Sequence, residues 1–434
     1  MRIVKLDENT KSQALAKLIG RAASGYGDYE KTVQSIIADV RDSGDGAVIA
    51  YEKKFDRCDL TSETLRVSEQ EIAEAYKALD PGLVDVMKKA AENIRVYHEK
   101  QKRSSWITTR EDGVILGQKV TPIEVSGCYV PGGRAVYPSS VLMNIVPAKA
   151  AGVEKIVMCT PPGPDGKAAA GTVVAADIAG ADEIYKVGGA QAIAAMAYGT
   201  ETIPKVDKIT GPGNIFVALA KKACFGVTGI DSVAGPSEIL IIADHTANPR
   251  YVAADLLSQA EHDPMASAIL LTTDENVAAA VSEEIDGFLE TLSRAEIISK
   301  SLEDYGYIFV GDTMDDLVEA ANTIASEHLE IITENPYEVM TKIRNAGAIF
   351  LGSYSSEPLG DYFAGPNHIL PTNGTARFFS PLGVDDFVKK SSIISYSKDA
   401  LRAVHKDIEL FALSEGLTAH VNSIAARFEE EQCS

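Results

Sequence analysis

The sequence predicts an α/β fold of two Rossmann-like domains, each an incomplete parallel sheet, with helical N-terminal and C-terminal segments. Three observations carry this expectation. The 434 residues exceed what a single ordinary core holds. Hydrophobic residues at 45% and charged residues at 24% are globular proportions, which excludes a disordered or fibrous chain. From Gly113 onward, short β-rich runs alternate with Ala-rich helical ones, the rhythm of βαβ units.

Residues 1–110 read as a mainly helical region packed in part on the main domain, on the apolar spacing of Leu15-Leu18-Ile19 and Ile36-Ile37-Val40. The runs 153–158, 183–187 and 206–210 are successive strand candidates with helices between them, and they define a nucleotide-binding-like unit over 125–236. A second α/β unit over 237–383 follows from the runs 238–243, 268–272, 307–310 and 348–351. The shared beat hints at duplication, although no repeated motif is visible. Residues 353–383 are rich in Gly, Pro, Ser and Asn, and a loop that long within a compact region is usually functional or disordered. The tail, 384–434, again reads as helical.

Lys and Arg total 41 against 62 Asp and Glu, so the net charge is 41 − 62 = −21, which repels a phosphate backbone and argues against nucleic acid as a partner. An anionic cofactor would need helix N-termini or local cations to reverse that field. The acidic pair Asp7-Glu8 precedes any long apolar stretch, so no signal peptide is read and a cytoplasmic location is expected. No run approaches the roughly twenty apolar residues that span a bilayer. The five cysteines (Cys58, Cys128, Cys159, Cys224, Cys433) are far apart and lack a Cys-x-x-Cys pair, so a metal here would use imidazole, carboxylate or amide ligands.

Four Gly-rich turns bear on cofactor binding: Val130-Pro131-Gly132-Gly133, Val187-Gly188-Gly189-Ala190-Gln191, Thr210-Gly211-Pro212-Gly213-Asn214 and Ala234-Gly235-Pro236-Ser237. Such a turn brings backbone close to a ligand and aims free N–H groups of the next helix at a phosphate. None has the Gly-x-Gly-x-x-Gly spacing, and any one of them is equally well a tight βα turn and nothing more. In Asp255-Leu256-Leu257-Ser258-Gln259-Ala260-Glu261-His262, helical spacing puts Gln259 and His262 one turn apart on one face, where two donors could chelate an ion; a polar surface helix is the plainer alternative. Ser326-Glu327-His328-Leu329-Glu330 sets a carboxylate beside an imidazole ahead of the apolar pair Ile331-Ile332. Adjacent residues serve one site only from a turn or a strand entrance, and together these two could move protons near neutrality. A solvated helix-terminal pair is the alternative there.

Taken in order along nearly the whole chain, these motifs resemble the histidinol dehydrogenase family. The resemblance rests on Val130-Pro131-Gly132-Gly133-Arg134-Ala135-Val136-Tyr137-Pro138-Ser139-Ser140, Gly211-Pro212-Gly213-Asn214, Ala234-Gly235-Pro236-Ser237-Glu238, Gln259-Ala260-Glu261-His262-Asp263-Pro264, Glu327-His328-Leu329-Glu330, Ala364-Gly365-Pro366-Asn367-His368 and Glu415-Gly416-Leu417-Thr418-Ala419-His420. It implies oxidation of L-histidinol through L-histidinal to L-histidine, the last two steps of histidine biosynthesis, with reduction of two NAD⁺. It also implies one Zn²⁺ per subunit, held by Gln259, His262, Asp361 and His420, with Asp361 arriving from the long loop. His328 would be the general base and Glu327 would activate water. Ser237, Gln259, His262, His328, Asp361, Glu415 and His420 would contact substrate, and Tyr129, Gln191 and Asn214 would contact NAD. The family is a homodimer with exchanged C-terminal segments, which would place Glu415 and His420 in the neighbour's site.

Three rivals remain at this stage: a related zinc- and NAD-dependent dehydrogenase of another small alcohol, such as a sulfonated diol; a zinc hydrolase in which Glu327 activates water without hydride transfer; and an inert nucleotide-binding protein. Glu415, a carboxylate suited to an ammonium-bearing substrate, favours histidinol over the first. The Gly-rich βα turns weigh against the second, and the intact Glu327, His328 and four implied ligands against the third.

Overall fold

A computed structural model of the chain describes residues 1–20, 27–132, 136–233 and 235–428. The side chains of Leu15, Leu18 and Ile19, and all of Gly133, Arg134, Ala135, Ala234 and Cys433, lie outside the described residues. The chain divides into two compact units, one of Met1–Lys102 with Ile123–Phe387 and a smaller one of Arg103–Pro122 with Val388–Ser434.

The strands in chain order are β1 (Arg2–Lys5), then β2 (Trp106–Thr109) and β3 (Ile115–Pro122). Next come β4 (Val125–Tyr129), β5 (Lys155–Thr160), β6 (Glu183–Lys186), β7 (Lys208–Thr210) and β8 (Gly229–Ile230). They are followed by β9 (Glu238–Ala243), β10 (Ser267–Thr272), β11 (Gly306–Val310), β12 (His328–Ile332) and β13 (Ala348–Leu351), and finally β14 (Val388–Ser395). In the larger unit, β4 to β8 form a parallel sheet ordered β6-β5-β4-β7-β8. A second parallel sheet is ordered β1-β11-β10-β9-β12-β13.

Both sheets are covered by helices, so their central strands are apolar on both faces, as parallel strands generally are. All of β9 and β10 is buried, with Ile239, Leu240, Ile241 and Ile242 at 0% exposure. Each such side chain contributes about 1.5–3 kcal/mol over its exposed state. Helices Gly27–Tyr51 and Gly189–Tyr198 pack on one face of the first sheet, burying Val33, Ile36, Ile37 and Val40 against Ala192, Ile193 and Met196. The apolar spacing of Ile36-Ile37-Val40 therefore marks a core-facing stripe.

Three features depart from the sequence reading. The mainly helical N-terminus opens with β1, which completes the far edge of the second sheet by pairing with β11 some 300 residues away. The tail expected to be helical from 384 begins with a 3₁₀ turn and β14, which in the smaller unit pairs antiparallel with β3, itself paired with β2. Residues 353–383 are not a continuous loop, since they contain the short helix Glu357–Tyr362. The helices Lys398–Ser414 and Thr418–Ala425 complete the smaller unit. Among the described residues no helix is long and apolar enough to cross a membrane, and Cys58, Cys128, Cys159 and Cys224 are free and buried.

The turn after β7 shows how the first sheet holds its carboxyl edge. Gly211 has φ +114°, and its N–H donates to Asp231 Oδ2 at 2.8 Å, while its carbonyl accepts from Lys221 Nζ at 2.9 Å. Lys221 and Asp231 are themselves ion-paired and buried, so each charge is compensated on the spot. A Cβ on Gly211 would collide with the Tyr129 carbonyl oxygen. Gly211→Ala should therefore cost about 2 kcal/mol or more, from positive φ plus the clash, read as a lowered thermal midpoint.

Candidate active site

The chemistry-bearing side chains of the second sheet gather at its amino edge, although ligands in open parallel sheets ordinarily sit at the carboxyl edge. His328 is the first residue of β12, and Glu238, the first of β9, lies next to it. Glu327 immediately precedes β12, so imidazole and neighbouring carboxylate meet at a strand entrance, the arrangement that two adjacent residues require if they are to serve one site. The helix Pro249–Ala260 starts after the carboxyl end of β9 and runs back, which returns Gln259 to the amino edge.

His328 is buried, with Nδ1 3.0 Å from the Glu238 carbonyl oxygen. An N–H on Nδ1 donates there, so Nε2 is the atom that gains or loses a proton. Nε2 has no hydrogen-bond partner and lies 3.8 Å from Asp361 Oδ1 and 3.9 Å from Glu357 Oε1. Glu327 Oε2 lies 3.6 Å from Nδ1 and accepts the Glu238 N–H at 2.9 Å, while the Glu238 carboxylate accepts the Glu327 N–H at 3.4 Å. Two strand entrances are thereby tied together through their own acidic side chains.

Burial and charge oppose each other throughout the cluster. For His328 burial disfavours the imidazolium, but the carboxylates of Glu327, Asp361 and Glu357 outweigh it and push the pKa up to about 10. Burial pushes Glu327 up to about 8 and Glu357 up to about 7. Burial acts on Asp361 in the same sense, yet its contacts with His328 and His368 prevail and hold it well below the usual carboxylate range.

Asp361 sits on the helix Glu357–Tyr362. Its backbone carbonyl accepts from His368 Nδ1 at 3.0 Å and its carboxylate lies 3.7 Å from the same nitrogen, while His368 Nε2 is 3.2 Å from Ser140 Oγ. His368 thus links Asp361 to the helix Pro138–Ala151, which packs on the first sheet. His368 lies within a motif singled out in the sequence, although no site role was assigned to it. Glu357 was missed altogether; its only sequence signal is a Glu-Pro helix start.

Ligand-capable atoms of His328, Glu357 and Asp361 lie within 4.8 Å of one another. Gln259 is 1% exposed, and neither its amide oxygen nor its nitrogen has a partner. An orphaned buried amide costs about 1–3 kcal/mol per group, which a ligand would recover. The donor set is therefore oxygen and nitrogen without sulfur, which fits a borderline cation such as Zn²⁺. His262 corrects a detail of the sequence reading. The helix ends at Ala260, and His262 lies just beyond its cap in a tight turn, its N–H bonded to the Gln259 carbonyl at 3.1 Å, so the two stand one turn apart across the helix end and not within it. His262 is exposed on one side, yet the protein around it lowers its pKa through desolvation, against an opposing pull from Asp361. Ser237 precedes β9 and is half-buried, its carbonyl accepting from Ser267 N at 3.0 Å. Glu415 and His420 belong to the smaller unit, where with Phe411, Leu417 and Ile424 they line a concavity of about 580 Å³.

Tyr129, Gln191 and Asn214 all stand at the carboxyl edge of the first sheet: Tyr129 ends β4, Gln191 lies in the first turn of the helix after β6, and Asn214 caps the helix after β7. Their polar groups are engaged within the chain. The Tyr129 hydroxyl accepts from Gly189 N at 3.0 Å, the Gln191 amide donates to Glu52 Oε1 at 2.8 Å, and Asn214 Oδ1 caps the helix Ile215–Cys224 through Phe216 and Val217. Glu52 Oε1 also accepts the Gly188 N–H at 3.1 Å. The N–H groups of Gly188 and Gly189 themselves are taken within the chain, by a buried carboxyl and a phenol.

This fold and site define an α/β enzyme with a buried imidazole–carboxylate centre. The sequence family model described as histidinol dehydrogenase matches residues 20–428. The histidinol dehydrogenase of Halalkalibacterium halodurans is 58% identical over 409 residues, covering 94% of this chain and 96% of that relative. That of Bacillus subtilis is 57% identical over 404 residues, covering 93% and 94%. The crystal structure of histidinol dehydrogenase from Elizabethkingia anophelis superposes with a TM-score of 0.94 at 39% identity, covering 100% of this chain and 99% of that one. The chain belongs to the histidinol dehydrogenase family and is an oxidoreductase. The reading as a dehydrogenase of a different alcohol is not favoured by these relatives.

Glu52 supplies a pH-dependent test of the glycine turn. Burial pushes its carboxyl from an ordinary 4.5 up to about 8. Between these values the native state holds a proton that the unfolded chain releases, so stability falls as pH rises through that window. Glu52→Gln keeps an acceptor for Gly188 and removes the titration. Its thermal midpoint should drop a few degrees less than the parent's between pH 5 and pH 8; an identical drop would show that Glu52 does not hold that proton.

Proposed function

We propose that this chain catalyses the NAD-dependent, four-electron oxidation of L-histidinol through L-histidinal to L-histidine, the final two steps of histidine biosynthesis, in the cytoplasm. The observation that carries the reading is the buried Glu327–His328 pair at the β12 entrance beside Asp361, with the buried Gln259 amide left without a hydrogen-bond partner on the helix that returns to the same edge. Family membership supplies the substrate.

His328 Nε2 takes the hydroxyl proton of histidinol, with Nδ1 anchored on the Glu238 carbonyl so that the ring keeps its orientation. The carbon gives up a hydride, leaving histidinal. Glu327 then takes a proton from water as its oxygen adds to the aldehyde carbon, and the resulting hydrate loses a second hydride and a proton to give the acid. The high pKa of Glu327 suits a group that exchanges a proton in the neutral to alkaline range. Gln259, His262, Asp361 and His420 would hold one Zn²⁺ per subunit, and Ser237, Glu415, His328 and those ligands would contact substrate. Tyr129, Gln191 and Asn214 would line the NAD site. When bound, Zn²⁺ orients the alcohol and offsets the carboxylate field on His328, and each NAD⁺ accepts one hydride.

A homodimer with exchanged C-terminal segments accounts for Glu415 and His420. In support, Leu410 and Phe411 are each 71% exposed on the helix that leads to them, an apolar face suited to a second copy of the chain. Mixing His420→Ala chains with Glu327→Ala chains should restore activity in confirmed heterodimers, and no recovery would overturn the shared site.

Limiting L-histidinol with excess NAD⁺ should give two NADH per substrate, with turnover lost on chelation and regained with Zn²⁺. Glu327→Gln should stop after the first NADH and release histidinal. Equal loss of both oxidations would remove Glu327 from the water step.

A further inference from the structure

We propose that Glu330, together with Asp255, positions the catalytic cluster by anchoring the amino end of the helix Glu357–Tyr362, so that Glu357 and Asp361 face His328. The inference rests on the proposed function for its link to turnover, and on geometry alone for the anchoring.

Glu330 lies two residues beyond His328 on β12, and strand alternation puts both side chains on one face. It is 1% exposed in a strand whose members beyond His328, namely Leu329, Ile331 and Ile332, are apolar. A carboxyl is costly to bury there and a Leu of similar size would pack, so its retention calls for a polar task. Glu330 Oε1 accepts the Glu357 N–H at 2.8 Å. That N–H begins a helix of six residues whose N-cap, Ser356, makes no side-chain cap bond. So short a helix does not hold itself, and its first donors need an outside partner.

The second Glu330 oxygen has no donor from another group and faces the carboxyl of Asp255, close enough for the two to share a proton. Asp255 stands one helical turn before Gln259 on the helix Pro249–Ala260. The neighbouring Ser258 hydroxyl donates to Glu357 Oε2 at 3.0 Å. Glu357 is thus held at its backbone by β12 and at its side chain by the Gln259 helix. Three elements, carrying His328, Gln259 and the pair Glu357 and Asp361, meet on Glu330, which itself touches none of the reacting atoms.

The test compares Glu330→Gln, which keeps an acceptor for Glu357 and a donor for Asp255, with Glu330→Leu, which keeps volume only; Asp255→Leu replaces the latter if it does not fold. Amide exchange over residues 354–364 is measured first in metal-free full-length protein. It should accelerate about tenfold or more in the Leu variant and stay near parental in the Gln variant. With Zn²⁺ loaded, the Leu variant should lose metal to a chelator and lose kcat by about ten- to hundredfold, with NAD⁺ affinity unchanged and Gln restoring both. Parental exchange in both variants overturns the anchoring. Accelerated exchange with parental metal retention and kcat overturns the positioning role. Absence of histidinol turnover in the parent would instead strike the proposed function and leave the exchange result standing.

Discussion

A buried imidazole ringed by carboxyl groups is the constraint around which the larger unit is arranged. His328 lies within 4 Å of oxygens from Glu327, Glu357 and Asp361, and these arrive from a strand entrance and a short helix. Like-charged carboxyls in a dry interior cannot all ionise without cations among them, so the cluster stands only because imidazoles, backbone N–H groups and shared protons divide the charge. That requirement explains the reciprocal bonds between Glu238 and Glu327, the grip of His368 on Asp361, and the pairing of Glu330 with Asp255.

The two parallel sheets use opposite edges. In the first, Tyr129, Gln191 and Asn214 occupy the carboxyl ends of strands, where open α/β sheets commonly bind ligands. In the second, the buried imidazole and carboxyl groups occupy the amino ends, because Glu238 and His328 begin their strands and the intervening helix returns Gln259 to that side. The Ser140–His368 bond joins the two halves of the larger unit near that cluster. The buried imidazole–carboxylate cluster and the glycine-rich carboxyl edge therefore stand on separate sheets of one unit.

The glycine turns are braced by buried side chains. The N–H groups at Gly188 and Gly189 are spent on Glu52 and Tyr129, and Gly211 is fixed by a buried Lys–Asp pair. These turns shape and stiffen the carboxyl edge.

By itself the sequence determined the strand–helix rhythm, the apolar parallel strands and the adjacency of Glu327 to His328, because those depend on local periodicity and on immediate neighbours in the chain. The family was legible for a similar reason, since short motifs in fixed order survive in a linear reading. Tertiary structure alone decided that Ile3 and Val4 belong to a sheet built mostly from residues 238–351, and that β14 closes on β3 across more than 260 residues. It also decided that Glu357 lies beside His328, that Glu330 accepts the Glu357 N–H, and that His262 falls just past the cap of its helix. Such contacts are set by packing between distant segments, where burial changes what a carboxyl can do, and no local pattern announces them.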